Sequence, residues 1–154
     1  MKRLIYRRDF LRASLALCAS LAAPSVRSCE FYTTTLRITH PWTRASAPDA
    51  TTAVVCMKID DVIESDRLIG VETPVATGAE MVDEGVPSSV NLFIPKGRET
   101  LFGEEGRQLR LVGLQHPLMI ARTYPLRLLF EKGGIVNAEL NIDYMPFAKP
   151  FTRK

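Results

Sequence analysis

The soft and borderline donors of this chain are few: three cysteines, two histidines and five methionines in 154 residues. His116-Pro117-Leu118-Met119 sets an imidazole and a thioether three positions apart, and Met81 lies on an earlier segment. Such donors suit a soft metal ion, so Met81, His116 and Met119 form one candidate metal site. Three residues make no spacing signature, and Met119 heads the apolar run Ile120-Ala121, so core packing is the competing account. His40, beside Pro41 and Trp42, reads as a structural hydrogen-bonding histidine, with Trp42 filling the core or covering one end of the fold.

Catalytic signatures are missing. No nucleophile elbow, glycine-rich phosphate loop or Cys-x-x-Cys pair occurs, which points away from an enzyme. Asp60-Asp61 and Glu104-Glu105 stand next to turn signals and are expected to be solvated loop charges.

Arg7-Arg8-Asp9-Phe10-Leu11-Arg12, followed by the small-residue apolar run Ala13 to Ala23, resembles a bacterial twin-arginine export signal. That run falls well short of the ~20 residues that span a bilayer, so no stable membrane span is expected. Residues 1–28 read as the signal peptide and 29–154 as the mature domain, placed in the periplasm. Ser20-Leu21-Ala22 offers an earlier cleavage site. Val26-Arg27-Ser28-Cys29 faintly resembles a lipoprotein box, but Arg27 within it and Pro24 before it argue against lipidation of Cys29.

Removing the signal reverses the charge. The whole chain is +3, whereas residues 29–154 carry 14 basic and 16 acidic side chains. The electrostatic case for nucleic-acid binding goes with it. The remaining 126 residues suit one domain with one core. Cys29 and Cys56 are the two mature cysteines: a bridge would be worth about 3 kcal/mol if geometry allowed it. A free Cys56, buried in an apolar strand, is the alternative.

Elements must position these residues, and the apolar period is two. Leu36 and Ile38, then Leu126, Leu128 and Phe130, then Val136, Ala138, Leu140 and Ile142 alternate with neighbours that are polar except for Leu129, which predicts half-buried strands. Further strands are predicted over 53–59, 68–72, 90–94 and 109–114. Gly133-Gly134 reads as the centre of a tight hairpin turn, and Pro87-Ser88 as another turn. No helix of ten residues appears. Seven or eight short strands predict an antiparallel sandwich or barrel.

Ile38-Thr39-His40-Pro41-Trp42-Thr43-Arg44-Ala45, Asp66-Arg67-Leu68-Ile69-Gly70-Val71-Glu72-Thr73-Pro74-Val75-Ala76, Ile94-Pro95-Lys96-Gly97 and Leu111-Val112-Gly113-Leu114 resemble the PCu(A)C family of periplasmic copper chaperones. The resemblance spans nearly the whole mature chain. It implies an all-β, cupredoxin-like Greek-key β-sandwich that binds Cu(I) and delivers it to cytochrome c oxidase. It also implies a His and a Met on the loop after Pro-Val-Ala and a His-x-Met pair on the next strand, ligands whose i, i+2 spacing points both at one metal.

Here the matching positions hold Val82, Gln108 and Arg110, with Val82 expected on a loop Glu80-Met81-Val82-Asp83-Glu84-Gly85. Arginine has no acceptor lone pair and cannot ligate copper. Arg110 is expected to pair with Asp83, Glu84 or Glu80 in the old ligand pocket. Two functions remain. One is a copper-chaperone-family protein without the family ligands, holding copper only if Met81, His116 and Met119 form a displaced site. The other is a metal-free β-sandwich module whose loops contact a protein partner, from respiratory oxidase assembly or another exported protein.

Overall fold

The computed structural model describes residues 29–144, with only the backbone of Tyr144. The expected signal peptide lies outside the described residues. Eleven strands and no helix occur among them: β1 (Glu30–Tyr32), β2 (Arg37–Arg44), β3 (Thr52–Asp60), β4 (Asp66–Glu72), β5 (Ala76–Asp83), β6 (Val86–Ser89), β7 (Leu92–Ile94), β8 (Thr100–Phe102), β9 (Gln108–Leu114), β10 (Thr123–Phe130) and β11 (Gly134–Tyr144).

They are hydrogen-bonded in the order β6-β5-β9-β3-β2-β11-β10-β4-β7, with β1 added to β2 and β8 to β3. The path curls into two layers that share β3. The first half of β3 (Thr52–Val55) pairs with β9, and its second half pairs with β2 and β8. β11 and β2 run parallel; every other strand pair is antiparallel.

Period-two residues build the core. Ala53, Val55, Met57 and Ile59 of β3, Leu109 and Leu111 of β9, Leu126, Leu128 and Phe130 of β10, and Val136, Ala138, Leu140 and Ile142 of β11 all lie inside one cluster. Full burial of such a side chain is worth about 1.5–3 kcal/mol, so the alternation itself selects which face turns inward.

One carboxylate ties the far ends of the chain together. Asp66 is 2% exposed and accepts hydrogen bonds from the Thr35 hydroxyl (2.7 Å) and from the N–H groups of Arg67, Lys132 and Gly133 (2.7, 2.9 and 2.9 Å). Burial pushes its carboxyl group up, but these four donors outweigh burial and hold it below the ordinary range.

Several expectations are corrected. The turn between β10 and β11 is made by residues 131–133, with Phe130 paired to Gly134. Gly134 alone has positive φ (+76°); Gly133 is needed because a Cβ there would stand 2.8–2.9 Å from Thr33 and Thr35. Residues 80–83, expected on a loop, lie on β5, and Pro87-Ser88 lies within β6 rather than at a turn. Asp60 is no solvated loop charge. It is 8% exposed, accepts Arg37 Nε and Nη2 at 2.7 and 3.0 Å, and pairs with Lys58 Nζ at 2.8 Å.

Candidate functional site

β5 and β9 bring the expected positions together. Val82 stands directly opposite Gln108, and Glu80 directly opposite Arg110. Their neighbours Met81, Leu109 and Leu111 are core residues, so by alternation Glu80, Val82, Gln108 and Arg110 share the outward face. Strand β3 borders Arg110 on its other side through Val54.

This face holds an ion pair. Arg110 Nε donates to Glu80 Oε1 at 2.9 Å, both side chains a little under one-third exposed. Glu80 is thus the partner among the three acids expected for Arg110. Asp83 instead takes Arg107, Nη2 to Oδ2 at 3.0 Å. Gln108 donates from Nε2 to the Glu104 carbonyl, and the Glu104 carboxylate binds Arg44 through both Nε and Nη2. Glu104 is therefore engaged rather than solvated. Arg44 and Glu104 stand sixty positions apart, and no local pattern in the sequence pairs them.

The donor set does not fit a cuprous ion. Val82 offers no donor, Arg110 carries a fixed cation already committed to Glu80, and Gln108 offers only a hard amide oxygen. No group of three or more His, Cys, Asp or Glu able to hold a metal occurs among the described residues.

The other soft donors are not assembled. Met81 is 4% exposed in the core opposite Leu109, whereas His116 lies two residues past Leu114, the partner of Ala76 at the other end of β9. Five strand residues at about 3.3 Å each separate those ends by roughly 16 Å. His116 and Met119 do share one loop: the imidazole lies 5.7 Å from the Tyr124 ring and its Nδ1 is 2.9 Å from the Pro117 carbonyl, while the Tyr124 hydroxyl is 3.5 Å from the Met119 N–H. Met119 is 57% exposed, which overturns its expected core packing; Leu118, 1% exposed, is the residue of that run that enters the core.

β2 carries the remaining candidates. A bulge inserts one residue between Thr39 and Trp42 relative to β3, with His40 at φ +48°. It turns the imidazole onto Asp143, Nε2 to Oδ2 at 2.7 Å, and the backbone N–H of His40 donates to the Cys29 carbonyl at 2.6 Å. His40 is thus a structural hydrogen-bonder. Trp42 is half-buried rather than fully inside the core, with the Arg44 guanidinium 6.0 Å from its ring. Cys29 and Cys56 are not bridged to each other.

A family model described as "Putative lipoprotein LpqE-like" matches residues 36–142. No curated protein matches the chain. The copper-bound PCuAC domain from PmoF2 superposes with a TM-score of 0.68 at 22% identity, covering 75% of this chain and 97% of that one. The apo PCuAC domain from PmoF1 gives 0.67 at 22%, covering 75% and 98%. The solution structure of CuI-DR1885 from Deinococcus radiodurans gives 0.57 at 18%, covering 68% and 75%. These likenesses fix the fold as the cupredoxin-like sandwich that the resemblance implied. With the model spanning well over half its length, the chain belongs to the LpqE-like family and carries the PCuAC fold.

Proposed function

We propose that this is an exported protein of the copper-chaperone fold family that carries no Cu(I) at the family's ligand positions and works as a metal-free module binding a protein partner. The observation that supports this reading is the Arg110–Glu80 ion pair, flanked by Gln108 and Val82, on the face where the family's ligands would converge. A permanent cation there opposes a cuprous ion as well as failing to ligate it. The partner class that suits an exported domain of this kind is a component of respiratory oxidase assembly or another exported protein. Delivery of copper to cytochrome c oxidase would belong to relatives with the ligands intact.

Titration of the purified chain from Cys29 with Cu(I), against a chromophoric chelator, tests the reading. No competition at micromolar protein is expected. Binding tighter than micromolar would overturn it, and weakening of that binding by His116→Ala or Met119→Ala would assign the copper to the 116–119 loop.

We further propose residues 1–28 as a twin-arginine-type signal and residues 29–154 as the mature periplasmic chain. The family's description as a lipoprotein favours a second reading of Cys29, as a lipid-bearing first residue. The mass of the mature protein recovered from cells separates the two: a bare Cys29 terminus against one heavier by a diacylglyceryl group.

A further inference from the structure

A hollow opens on the outward side of β3, and three neighbouring strands account for it. Val55 and Met57 belong to the core, so Cys56 and Lys58, which alternate with them, face outward. Register places Trp42 opposite Cys56 and Thr39 opposite Lys58 on β2, with Leu101 opposite Lys58 on β8. Phe102 pairs with Met57, so Gly103 follows on beside Cys56. The middle of the face thus carries a thiol and a glycine, while Trp42 stands on one flank and the exposed Leu101 on the other. The β2 bulge widens the gap, because Thr39 and Trp42 are three residues apart where their partners are two apart. Those six outward residues line a cleft of about 350 Å³, a volume within the range of small-molecule sites.

The charges around it are paired. Lys58 Nζ lies 2.8 Å from Asp60, the His40 imidazole is held by Asp143, and Glu104 at one end of the cleft is held by Arg44. The Cys56 thiol, pushed up to about 11 first of all by burial, stays protonated at neutral pH. One polar group has no partner: Thr39 Oγ1 is buried and makes no hydrogen bond, the sole such side-chain atom among the described residues. An unsatisfied buried hydroxyl is costly, and a turn about χ1 exchanges a threonine's hydroxyl with its methyl, which presents it to the cleft. The dimensions suit a flat occupant. β2 and β8 lie two strand spacings apart, about 10 Å, and strand side chains stand roughly perpendicular to their sheet. A ring midway between the two flanks is therefore about 5 Å from the Trp42 indole, in the range of offset aromatic contacts.

We propose that this cleft binds a neutral phenol-type ring, seated between Trp42 and Leu101 with its hydroxyl hydrogen-bonded to Thr39. The ring supplies the apolar faces that the two flanks require, and its hydroxyl supplies the partner that Thr39 lacks. A charged group in its place would lose hydration without gaining a counter-charge. The same chemistry comes from a free phenolic compound or from a tyrosine side chain of another protein. None of the six residues belongs to the Arg110–Glu80 face, so the proposal stands whether or not the protein binds copper.

Trp42 is the sole tryptophan, so its indole N–H gives one resonance in an NMR correlation spectrum of the chain from Cys29 to Lys154. Titration with p-cresol, which is uncharged at neutral pH, should shift that resonance saturably at millimolar concentration. Toluene, lacking the hydroxyl, should bind about tenfold more weakly, and para-methylbenzoate more weakly still. Thr39→Val should bring p-cresol down to the affinity of toluene and leave toluene binding unchanged. Gly103→Leu tests occupancy. A Cβ there meets nothing nearer than the Glu105 carbonyl oxygen at 4.0 Å, so the new side chain fills the hollow and should abolish binding of both rings with an unchanged melting curve. Should Gly103→Leu fail to fold, Thr39→Val carries the test, with its own melting curve as control. A Trp42 resonance unmoved by p-cresol overturns the proposal. So does equal binding of p-cresol and toluene, undiminished p-cresol binding by Thr39→Val or by a folded Gly103→Leu, or tighter binding of para-methylbenzoate. N-acetyltyrosinamide separates the two sources: binding tighter than that of p-cresol assigns the cleft to a tyrosine of another protein, and equal or weaker binding to a free phenolic compound.

Discussion

Arg110 and Glu80 stand directly opposite each other on β9 and β5, Nε to Oε1 at 2.9 Å, with Val82 and Gln108 forming the next outward pair along the same two strands. The backbone thus places three side-chain positions on one face, and the residues at those positions supply no soft donor atom. Arg110→Met alone removes the repulsion but supplies one thioether and leaves Glu80 half-buried. It should bind Cu(I) no better than micromolar, and stability should change by less than about 1 kcal/mol because the pair is partly exposed. Val82→His, Gln108→His and Arg110→Met together supply three soft or borderline donors. The triple variant should compete with a chromophoric chelator at least about a hundredfold better than the parent, a difference of roughly 2.8 kcal/mol. Failure of the triple variant to gain Cu(I) affinity would show that the face no longer has the geometry of a metal site.

Thiol chemistry should separate the two mature cysteines. Cys56 is 4% exposed, and its thiol is pushed up to about 11, first by burial, then by the charge of Glu104, against a smaller opposing effect of Arg44. The thiolate is the reactive species, so Cys56 should stay unmodified by a thiol-disulfide reagent at pH 7.5 under native conditions. Cys29 is more exposed. One thiol should titrate within minutes and the second only in denaturant, and a Cys29→Ser variant should leave no fast phase.

The parts of this fold that were legible are those where one face is buried and the other wet. β10 and β11 alternate cleanly because each second side chain enters the core, and the same rule found β3 and β9. β5 escaped because its alternation fails locally. Met81 faces the core, yet Val82 on the opposite face is also buried, 6% exposed beside Gln108, so the segment lacks a period. β6 escaped because all four of its residues are exposed and one is proline. The placing of Gln108 and Arg110 on one face came from the resemblance, which matches them to an i, i+2 pair on a strand. The role of Asp60 did not, because nothing in an Asp-Asp pair announces that an arginine 23 positions earlier will lie alongside the first of them.

Gly113 should be intolerant of any side chain, for a reason that a second substitution can expose. Its φ is +64°, and a Cβ there would fall 2.0 Å from Thr77 Oγ1, whose hydroxyl donates to the Val112 carbonyl. Left-handed backbone costs a non-glycine residue about 1–2 kcal/mol before the clash is counted. Gly113→Ala should therefore destabilise by about 2 kcal/mol or more. Thr77→Ala removes the colliding hydroxyl, so the double variant should be more stable than Gly113→Ala by itself, leaving mainly the backbone cost. Denaturant midpoints of the four proteins measure this; strict additivity would mean that the contact with Thr77 is irrelevant.

Acid should unfold this protein through Asp60 and Asp66. The Arg37 guanidinium, with Lys58 adding to it against the opposing effect of burial, holds the Asp60 carboxyl down to about 2, and Asp66 is also lowered by its four donors. A carboxylate whose value is depressed by folding binds fewer protons in the native state than in the unfolded chain at pH 3. The stability it contributes is complete above the unfolded value near 4 and is lost as pH falls towards 2. Denaturant midpoints should hold steady from pH 7 to about 5 and drop steeply between pH 4 and 2. Asp60→Asn should flatten that drop while lowering the midpoint at pH 7, because Arg37 and Lys58 lose a buried counter-charge. Asp66→Asn should cost more at pH 7, about 2–4 kcal/mol. An amide presents one acceptor oxygen where the carboxylate presents two, and its NH2 group would face the N–H donors of Arg67 and Lys132 or that of Gly133. A profile that stays flat to pH 2, or an Asp66→Asn variant as stable as the parent, would remove these carboxylates from the account of what holds the β4 start to the β10–β11 turn.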